Sequence, residues 1–182
     1  MKTLLLLLCM LVSSITFCQT TFTGKTKARI KLRSSPSPYA EWITSMPKGA
    51  QVVWNKEDEI EGYCKVIFIG TDFEGWILSR NIINRQRVEK QKGNPFSEGE
   101  LDDRQSQPEL RIFNNTNVYM NLKLDSKMYT LSPHERFKLT YADGDCSYMA
   151  AAKNILPSVG KHTFTNGHYY DWEFYIKSVR VR

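Results

Sequence analysis

The stretch from Ala28 to Ile83 is built from short segments in which apolar and polar residues alternate, and turn-forming residues separate one segment from the next. Alternation with a period of two is typical of half-buried strands, whereas clusters such as Pro47-Lys48-Gly49 end them. Segments this short, repeated at this spacing, predict a small antiparallel barrel. The five predicted strands cover residues 28–33, 41–46, 50–55, 63–69 and 73–78.

Within this stretch, four ordered motifs resemble the bacterial SH3-like domain. The motifs are Leu32-Arg33-Ser34-Ser35-Pro36, Pro47-Lys48-Gly49-Ala50-Gln51-Val52, Gly62-Tyr63-Cys64-Lys65-Val66, and Gly75-Trp76-Ile77 followed by Ser79-Arg80-Asn81-Ile82. The resemblance implies an SH3-like barrel over residues 19–84 and, as its first function, binding of cell-wall peptides. Ile82 stands where proline-binding members of the wider family carry a tyrosine, which weakens the argument for a proline-rich ligand.

The first domain holds more aromatic side chains than a barrel of this size can enclose. We expect Trp42 and Trp76 to lie in the core and other rings to line a surface groove, where they give binding area at low entropic cost. Alternation assigns the interior to Ile30, Leu32, Val52, Val66 and Ile77. The predicted groove residues are Tyr39, Trp54 and Tyr63.

Near the start of the first domain every second position is basic, at Lys25, Lys27, Arg29, Lys31 and Arg33. In a single strand these cations would share one face. One interpretation is an anion-binding stripe that faces acidic polymers of the cell envelope. The interpretation we favour is a solvated face whose lysines keep an edge strand from mispairing.

Residues 1–18 have the pattern of a signal peptide, a positive charge followed by an apolar run that is too short to span a membrane. Thr16 and Cys18 are small residues at the positions that a signal peptidase reads, which predicts cleavage before Gln19 and an exported protein, periplasmic or extracellular. Lipidation of Cys18 is the alternative, although the bulky Phe17 stands where a lipobox has a small residue. No other stretch is apolar enough to predict a membrane span.

Residues 85–107 are rich in charge and almost free of aliphatic side chains, which predicts a polar linker that tethers two separate domains. Residues 108–182 alternate again, and Asn166-Gly167 is a strong hairpin signal. This second domain is predicted as an antiparallel β-sandwich, so the whole chain is expected to be all-β. Its predicted strands cover residues 110–113, 118–124, 128–131, 136–141, 146–151, 161–164 and 169–179.

Two cysteines lie outside the predicted signal peptide, Cys64 in the first domain and Cys146 in the second. Export permits a disulfide between them, but both have apolar or aromatic neighbours, where a free thiol packs as a small hydrophobe. Asp145-Cys146-Ser147 and the later His168 are also similar to a motif of cell-wall cysteine peptidases, in which cysteine is the nucleophile and histidine its base. Tyr148 replaces the glycine of that motif, and Cys146 and His168 are too close in sequence for that family's central strand.

The net charge of +6 is spread evenly, so the sequence does not predict a nucleic-acid partner. The three histidines match no zinc spacing, and no catalytic, metal or cofactor site is predicted. The predicted function is an exported, non-catalytic binding protein of the bacterial cell envelope that contacts cell-wall peptide or an envelope protein. The alternatives are a structural or assembly component of the envelope and a divergent cysteine peptidase that uses Cys146 and His168. The sequence predicts no oligomeric state.

Overall fold

A computed structural model of the chain describes residues 20–90, 93–100 and 106–175. These residues form strands and two short 3-10 helices, Lys56–Asp58 and Ser79–Asn81, and the described ranges contain no α-helix. The all-β prediction is therefore confirmed. The predicted signal peptide and the end of the predicted last strand, residues 176–179, lie outside the described residues. None of the described ranges contains a helix with the length and apolarity needed to cross a membrane.

The N-terminal half forms one antiparallel sheet, here called the first sheet. Its strands are β1 (Thr21–Thr26), β2 (Ile30–Arg33), β3 (Trp42–Met46), β4 (Gln51–Asn55), β5 (Glu59–Ile60), β6 (Tyr63–Phe68), β7 (Glu74–Leu78) and β8 (Ile82–Arg87). They lie in the order β3-β2-β7-β6-β4-β1-β8, with the short β5 beside β6. All five strands predicted for this half are confirmed. β4 departs from simple alternation, because Val52 and Trp54 are buried in the sheet interior and Val53 is buried on the opposite face.

The interior of the first sheet follows the predicted alternation. Four of the five predicted interior residues are buried and Ile30 packs partly against them. The core also contains Met46, Ala50, Trp54, Cys64 and Ile82.

The five basic residues from Lys25 to Arg33 do not share the face of a single strand, because the chain turns between β1 and β2. Thr26 fixes this turn. Its hydroxyl donates to the carbonyl of Pro47 at 2.6 Å, and its carbonyl accepts the amide hydrogen of Gly49 at 2.9 Å. The basic residues therefore fall on two strands and the bend that joins them, and they do not form a single stripe.

The C-terminal half is a sandwich of two four-stranded sheets, which confirms the predicted sandwich-like fold. Its strands are β9 (Ser97–Glu100), β10 (Glu109–Asn114), β11 (Met120–Leu124), β12 (Lys127–Leu131), β13 (Arg136–Thr140), β14 (Gly144–Ala152), β15 (Ser158–Phe164) and β16 (His168–Phe174). One sheet has the order β13-β10-β16-β9 and the other β12-β11-β14-β15. The pair β10–β16 is parallel, which the sequence did not predict. Residues of both sheets form one core between them.

The predicted linker, residues 85–107, contains ordered structure. β8 continues to Arg87, and β9 adds an edge to the sandwich by pairing with β16. Phe96 is buried in the sandwich core. The polar composition misled the prediction because β9 is held by main-chain hydrogen bonds and by one aromatic anchor, neither of which needs an aliphatic run.

The two halves pack against each other, so the expectation that a linker merely tethers them is wrong. Val53, Ile67 and Ile69 of the first half and Ala151 of the sandwich form a buried apolar cluster, here called the interface cluster. Polar groups border it. The amide of Gly70 donates to Oδ1 of Asn121 at 2.7 Å, and Nζ of Lys123 lies 2.6 Å from Oε1 of Glu74. Gln51 bonds the backbone of Asn154 and Ile155.

Candidate functional site

The three predicted groove residues do not form a common surface. Tyr39 is 96% exposed in the loop between β2 and β3, whereas Trp54 is 3% and Tyr63 7% exposed. The prediction that all three rings line one groove is therefore wrong for Trp54 and Tyr63. In sheet order, Trp54 on β4 is also three strands away from β2, where the Tyr39 loop begins.

Trp54 and Tyr63 are buried by contacts within the first half of the chain. The indole of Trp54 stacks on Phe22 with 5.7 Å between ring centroids, and its Nε1–H donates to Oε1 of Glu59 at 3.0 Å. Tyr63 is paired with Ile60 on one side and Leu78 on the other. The acidic segment that holds Glu59 is thus partly turned inward, to satisfy the indole N–H, and is not a wholly solvated loop tip.

A different set of rings lies on the outer face of the first sheet. Trp42 and Trp76 are both expected in the core, and the expectation is wrong for both: Trp42 is 59% exposed, and Trp76 is half-buried and outside the core. Arg33 on β2 pairs with Trp42 on β3 and with Trp76 on β7. Trp76 also pairs with Lys65 on β6. Paired residues of adjacent strands face the same side of a sheet. We call Trp42, Arg33, Trp76 and Lys65 the aromatic row.

The aromatic row crosses four neighbouring strands, β3-β2-β7-β6. With adjacent strands about 4.8 Å apart, it spans roughly 14 Å. Leu32 and Ile77, the neighbours in sequence of Arg33 and Trp76, are buried, so alternation directs the row away from the core.

The loop that carries Tyr39 is fixed next to the row. Nη1 of Arg33 donates to the carbonyl of Ala40 at 2.8 Å, and the amide of Ser34 donates to the carbonyl of Glu41 at 2.9 Å. These two bonds close the loop at its base and hold Tyr39 beside the start of β3. Tyr39, which is 96% exposed, extends the exposed apolar surface at this end of the row.

Cations accompany the exposed rings. Nζ of Lys31 lies 4.8 Å from the ring centroid of Trp42, a cation–π distance. Nζ of Lys65 lies 3.7 Å from Glu74, and the same carboxylate oxygen also pairs with Lys123. One carboxylate thus serves two lysines, and Lys31, Arg33 and Lys65 leave the aromatic row with an excess of positive charge.

Cys146 is not placed as a nucleophile. It lies on β14 opposite His162 and is buried, where a cell-wall cysteine peptidase has its cysteine at a helix start. Burial raises the pKa of its thiol to about 11, although a hydrogen bond with Tyr141 acts in the opposite direction. His168 lies at the start of β16, where its Nδ1 is 3.1 Å from the carbonyl oxygen of Asn166. Cys146 is therefore a protonated thiol in the core, whereas nucleophilic attack needs a thiolate.

Both cysteines are free thiols, and each belongs to a separate core. The predicted alternative of a bridge between the halves is not what the structure contains. In residues 20–90, 93–100 and 106–175, no three His, Cys, Asp or Glu side chains are grouped so that they could hold a metal ion.

A cleft of about 390 Å³ lies between the two halves. Its lining includes Lys90, Lys123 and Lys161 together with Asp58 and Asp125, so opposite charges are nearly balanced. Lys123 is paired with Glu74, and Asp125 accepts hydrogen bonds from Tyr141 and Ser147. Because Lys123 and Asp125 already have partners within the protein, the aromatic row is the stronger candidate for a binding surface.

Comparison with known proteins gives no relative for this chain: no protein-family model, no curated protein and no solved structure matches it.

Proposed function

We propose that the protein is an exported, non-catalytic binding protein of the bacterial cell envelope, and that the aromatic row binds cell-wall peptide. The observation that carries the proposal is the register of three strands, which aligns Trp42, Arg33 and Trp76 on one outer face. The resemblance of residues 28–83 to bacterial SH3-like domains supports the choice of ligand, because members of that family bind cell-wall peptides.

The physical argument rests on the exposed rings. Apolar side chains in contiguous exposed patches mark interaction surfaces, and tryptophan and tyrosine are enriched where binding energy concentrates. Trp42 and Tyr39 stay exposed although the same half of the chain buries Trp54. A strand face with two indoles and a fixed tyrosine loop provides flat, rigid area against which an extended peptide can lie.

Export is the second part of the proposal and rests on the pattern of residues 1–18 alone. It is tested by mass spectrometry of the mature protein from the producing cell. A mature chain that begins at Gln19 would support export through signal-peptide cleavage. A diacylglyceryl group on Cys18 would show instead that the protein is lipid-anchored.

Sedimentation with purified peptidoglycan tests the binding function. The wild-type chain is expected to pellet with the polymer, and the double variant Trp42→Ala with Trp76→Ala is expected to stay in the supernatant. Tyr119→Ala is the matched control, since Tyr119 is 54% exposed but lies in the sandwich half. The proposal fails if the wild-type protein stays in the supernatant while an established wall binder pellets, which would leave an envelope protein as the partner to test.

A further inference from the structure

We infer, on the basis of the proposed function, that the aromatic row selects peptides with a free carboxylate and that Arg33 binds this carboxylate between Trp42 and Trp76. The register places Arg33 as the strand neighbour of both rings at once. A ligand that lies across the two indoles therefore passes over the guanidinium.

The guanidinium of Arg33 makes one hydrogen bond within the described residues. Nη1 donates to the carbonyl of Ala40 at 2.8 Å, which fixes the guanidinium at the base of the Tyr39 loop. A guanidinium has five N–H donors in a planar fork, so several remain for a ligand, and the fork matches the two oxygens of a carboxylate.

Arg33 also lacks a carboxylate of its own. Across the described ranges, the ion pairs engage Glu59, Glu74, Glu98 and Glu109, and none includes Arg33. Arg33 is half-buried between the two strands that carry the tryptophans. A charge in such a position is screened less by salt than one in open water, so its attraction to a ligand carboxylate is stronger there.

The charges around Arg33 favour the same ligand. Lys31, on the same strand, lies over Trp42 at 4.8 Å, and Lys65 stands beside Trp76 in the register. The ligand chemistry that fits is therefore an extended peptide with at least one free carboxylate, which is the form of a cell-wall stem peptide whose carboxyl groups are not amidated.

Calorimetric titration of the mature protein with two synthetic cell-wall tetrapeptides, one with free carboxylates and one with carboxamides in their place, tests the inference. The wild type is expected to bind the free acid at least tenfold more tightly, which corresponds to about 1.4 kcal/mol. Arg33→Gln is expected to lose most of this preference and to keep only the small part that Lys31 and Lys65 supply. Arg33→Lys keeps the charge without the fork and should retain a smaller preference, while Trp42→Ala should weaken both forms and preserve the wild-type ratio.

The outcomes separate the two proposals. If the wild type binds the acid and the amide with equal affinity, the proposed function stands and the role of Arg33 is overturned. If the wild type binds neither tetrapeptide nor whole peptidoglycan, the proposed function fails and the inference with it. The comparison of the two ligands on the wild type decides even if Arg33→Gln disturbs the Tyr39 loop, because it requires no variant.

Discussion

At the scale of single residues, one carboxylate organises the core of the first sheet. Oε1 of Glu59 accepts a hydrogen bond from Nε1–H of Trp54 at 3.0 Å and lies 3.7 Å from Sγ of Cys64. A buried indole N–H left without a partner costs free energy, so Glu59 makes burial of the whole ring favourable. Trp54 is therefore a structural residue, with its polar edge satisfied from within the protein.

Trp54→Ala is expected to lower the free energy of unfolding by about 3–5 kcal/mol, because it leaves a large cavity in the core. The same change in a surface ring should matter little, so Tyr39→Ala is the control and should stay within about 0.5 kcal/mol of wild type. Urea denaturation of the three proteins measures this difference. Equal midpoints for Trp54→Ala and wild type would contradict the burial of this ring.

The two buried thiols predict a loss of stability in alkali. Burial raises the pKa of Cys64 to about 12, with the nearby Glu59 acting in the same direction, and burial raises that of Cys146 to about 11. An unfolded thiol ionises near pH 8.5, so the unfolded state loses its protons first as pH rises. The stabilising contribution is full below about pH 8.5 and is lost progressively toward the folded pKa values, by up to about 1.4 kcal/mol per pH unit and thiol.

Urea midpoints at pH 7, 9 and 10 test this expectation. The double variant Cys64→Ala with Cys146→Ala is expected to be less stable at pH 7, because it loses packing, but to lose less additional stability between pH 7 and 10 than wild type. Burial raises the pKa of Tyr141 and a hydrogen bond with Cys146 raises it further, so the difference between the two slopes reports the thiols together with this tyrosine. Parallel slopes would show that the thiols do not differ in pKa between the folded and unfolded states.

At the scale of elements, β9 is the strand whose sequence shows the least strand-like pattern. Ser97, Glu98 and Glu100 have no apolar side chain to bury, and the strand is held by pairing with β16. A Cβ at Gly99 would lie 2.3 Å from the ring of Tyr169, so a larger residue there would force that ring to move. Phe96 anchors the strand, with its ring centroid 4.6 Å from that of Trp172 and 5.4 Å from that of Phe164.

Phe96→Ala is expected to destabilise the sandwich by about 3–5 kcal/mol, the usual cost of deleting a buried aromatic ring. Ser97→Ala, at an exposed position next to it, is the control and should be nearly neutral. Hydrogen exchange reports on the strand itself: in wild type those amides of 97–100 that face β16 should be protected, and Phe96→Ala should remove this protection. Rapid exchange of these amides in wild type would show that residues 93–100 belong to a linker, as the sequence predicts.

The strands could be predicted from the sequence wherever side chains carried the period-two signal. Each strand from β2 to β4 and from β10 to β16, together with β6 and β7, lies within a few residues of its predicted position. β9 could not be predicted, because main-chain pairing leaves no pattern in the side chains. The break after Thr26 was also hidden, since alternation continued through a turn that only tertiary hydrogen bonds specify.

The candidate site was predicted only in part, at Tyr39. Trp54 was assigned to a groove from its place at a strand end, although the acceptor that permits its burial, Glu59, was visible nearby in sequence. Trp76 was expected in the core, although alternation with Ile77, which was predicted to be interior, already places it on the outer face. Its alignment with Trp42 through Arg33 could not be predicted, because strand order is a property of the tertiary fold.

At the scale of the whole molecule, the interface cluster makes the two halves one packed body. Ala151 faces the first half from β14, and its register partner Asn121 reaches across with its side chain to the turn at Gly70. The same face of this sheet carries Lys123, which pairs with Glu74. One sheet of the sandwich is therefore covered on both sides, by its partner sheet and by the first half.

The interface cluster predicts that the two halves unfold together. In scanning calorimetry the wild-type chain is expected to show one transition, because each half loses buried apolar area when the other unfolds. Ala151→Glu is expected to uncouple them into two transitions, since it places a charge in the interface cluster without a partner, at a cost of several kcal/mol. The sandwich alone should tolerate this change, because the glutamate would face water once the halves separate.

Lys153→Glu, two positions further along at an exposed site, is the control and should keep the single transition. Asn121→Ala should act in the same direction as Ala151→Glu but more weakly, because it leaves the part-buried amide of Gly70 without its acceptor, a loss of about 1 kcal/mol. Two well-separated transitions already in the wild type, or an unchanged single transition in Ala151→Glu, would show that the halves do not stabilise each other. A graded response, from Lys153→Glu through Asn121→Ala to Ala151→Glu, is the result that packing between the halves requires.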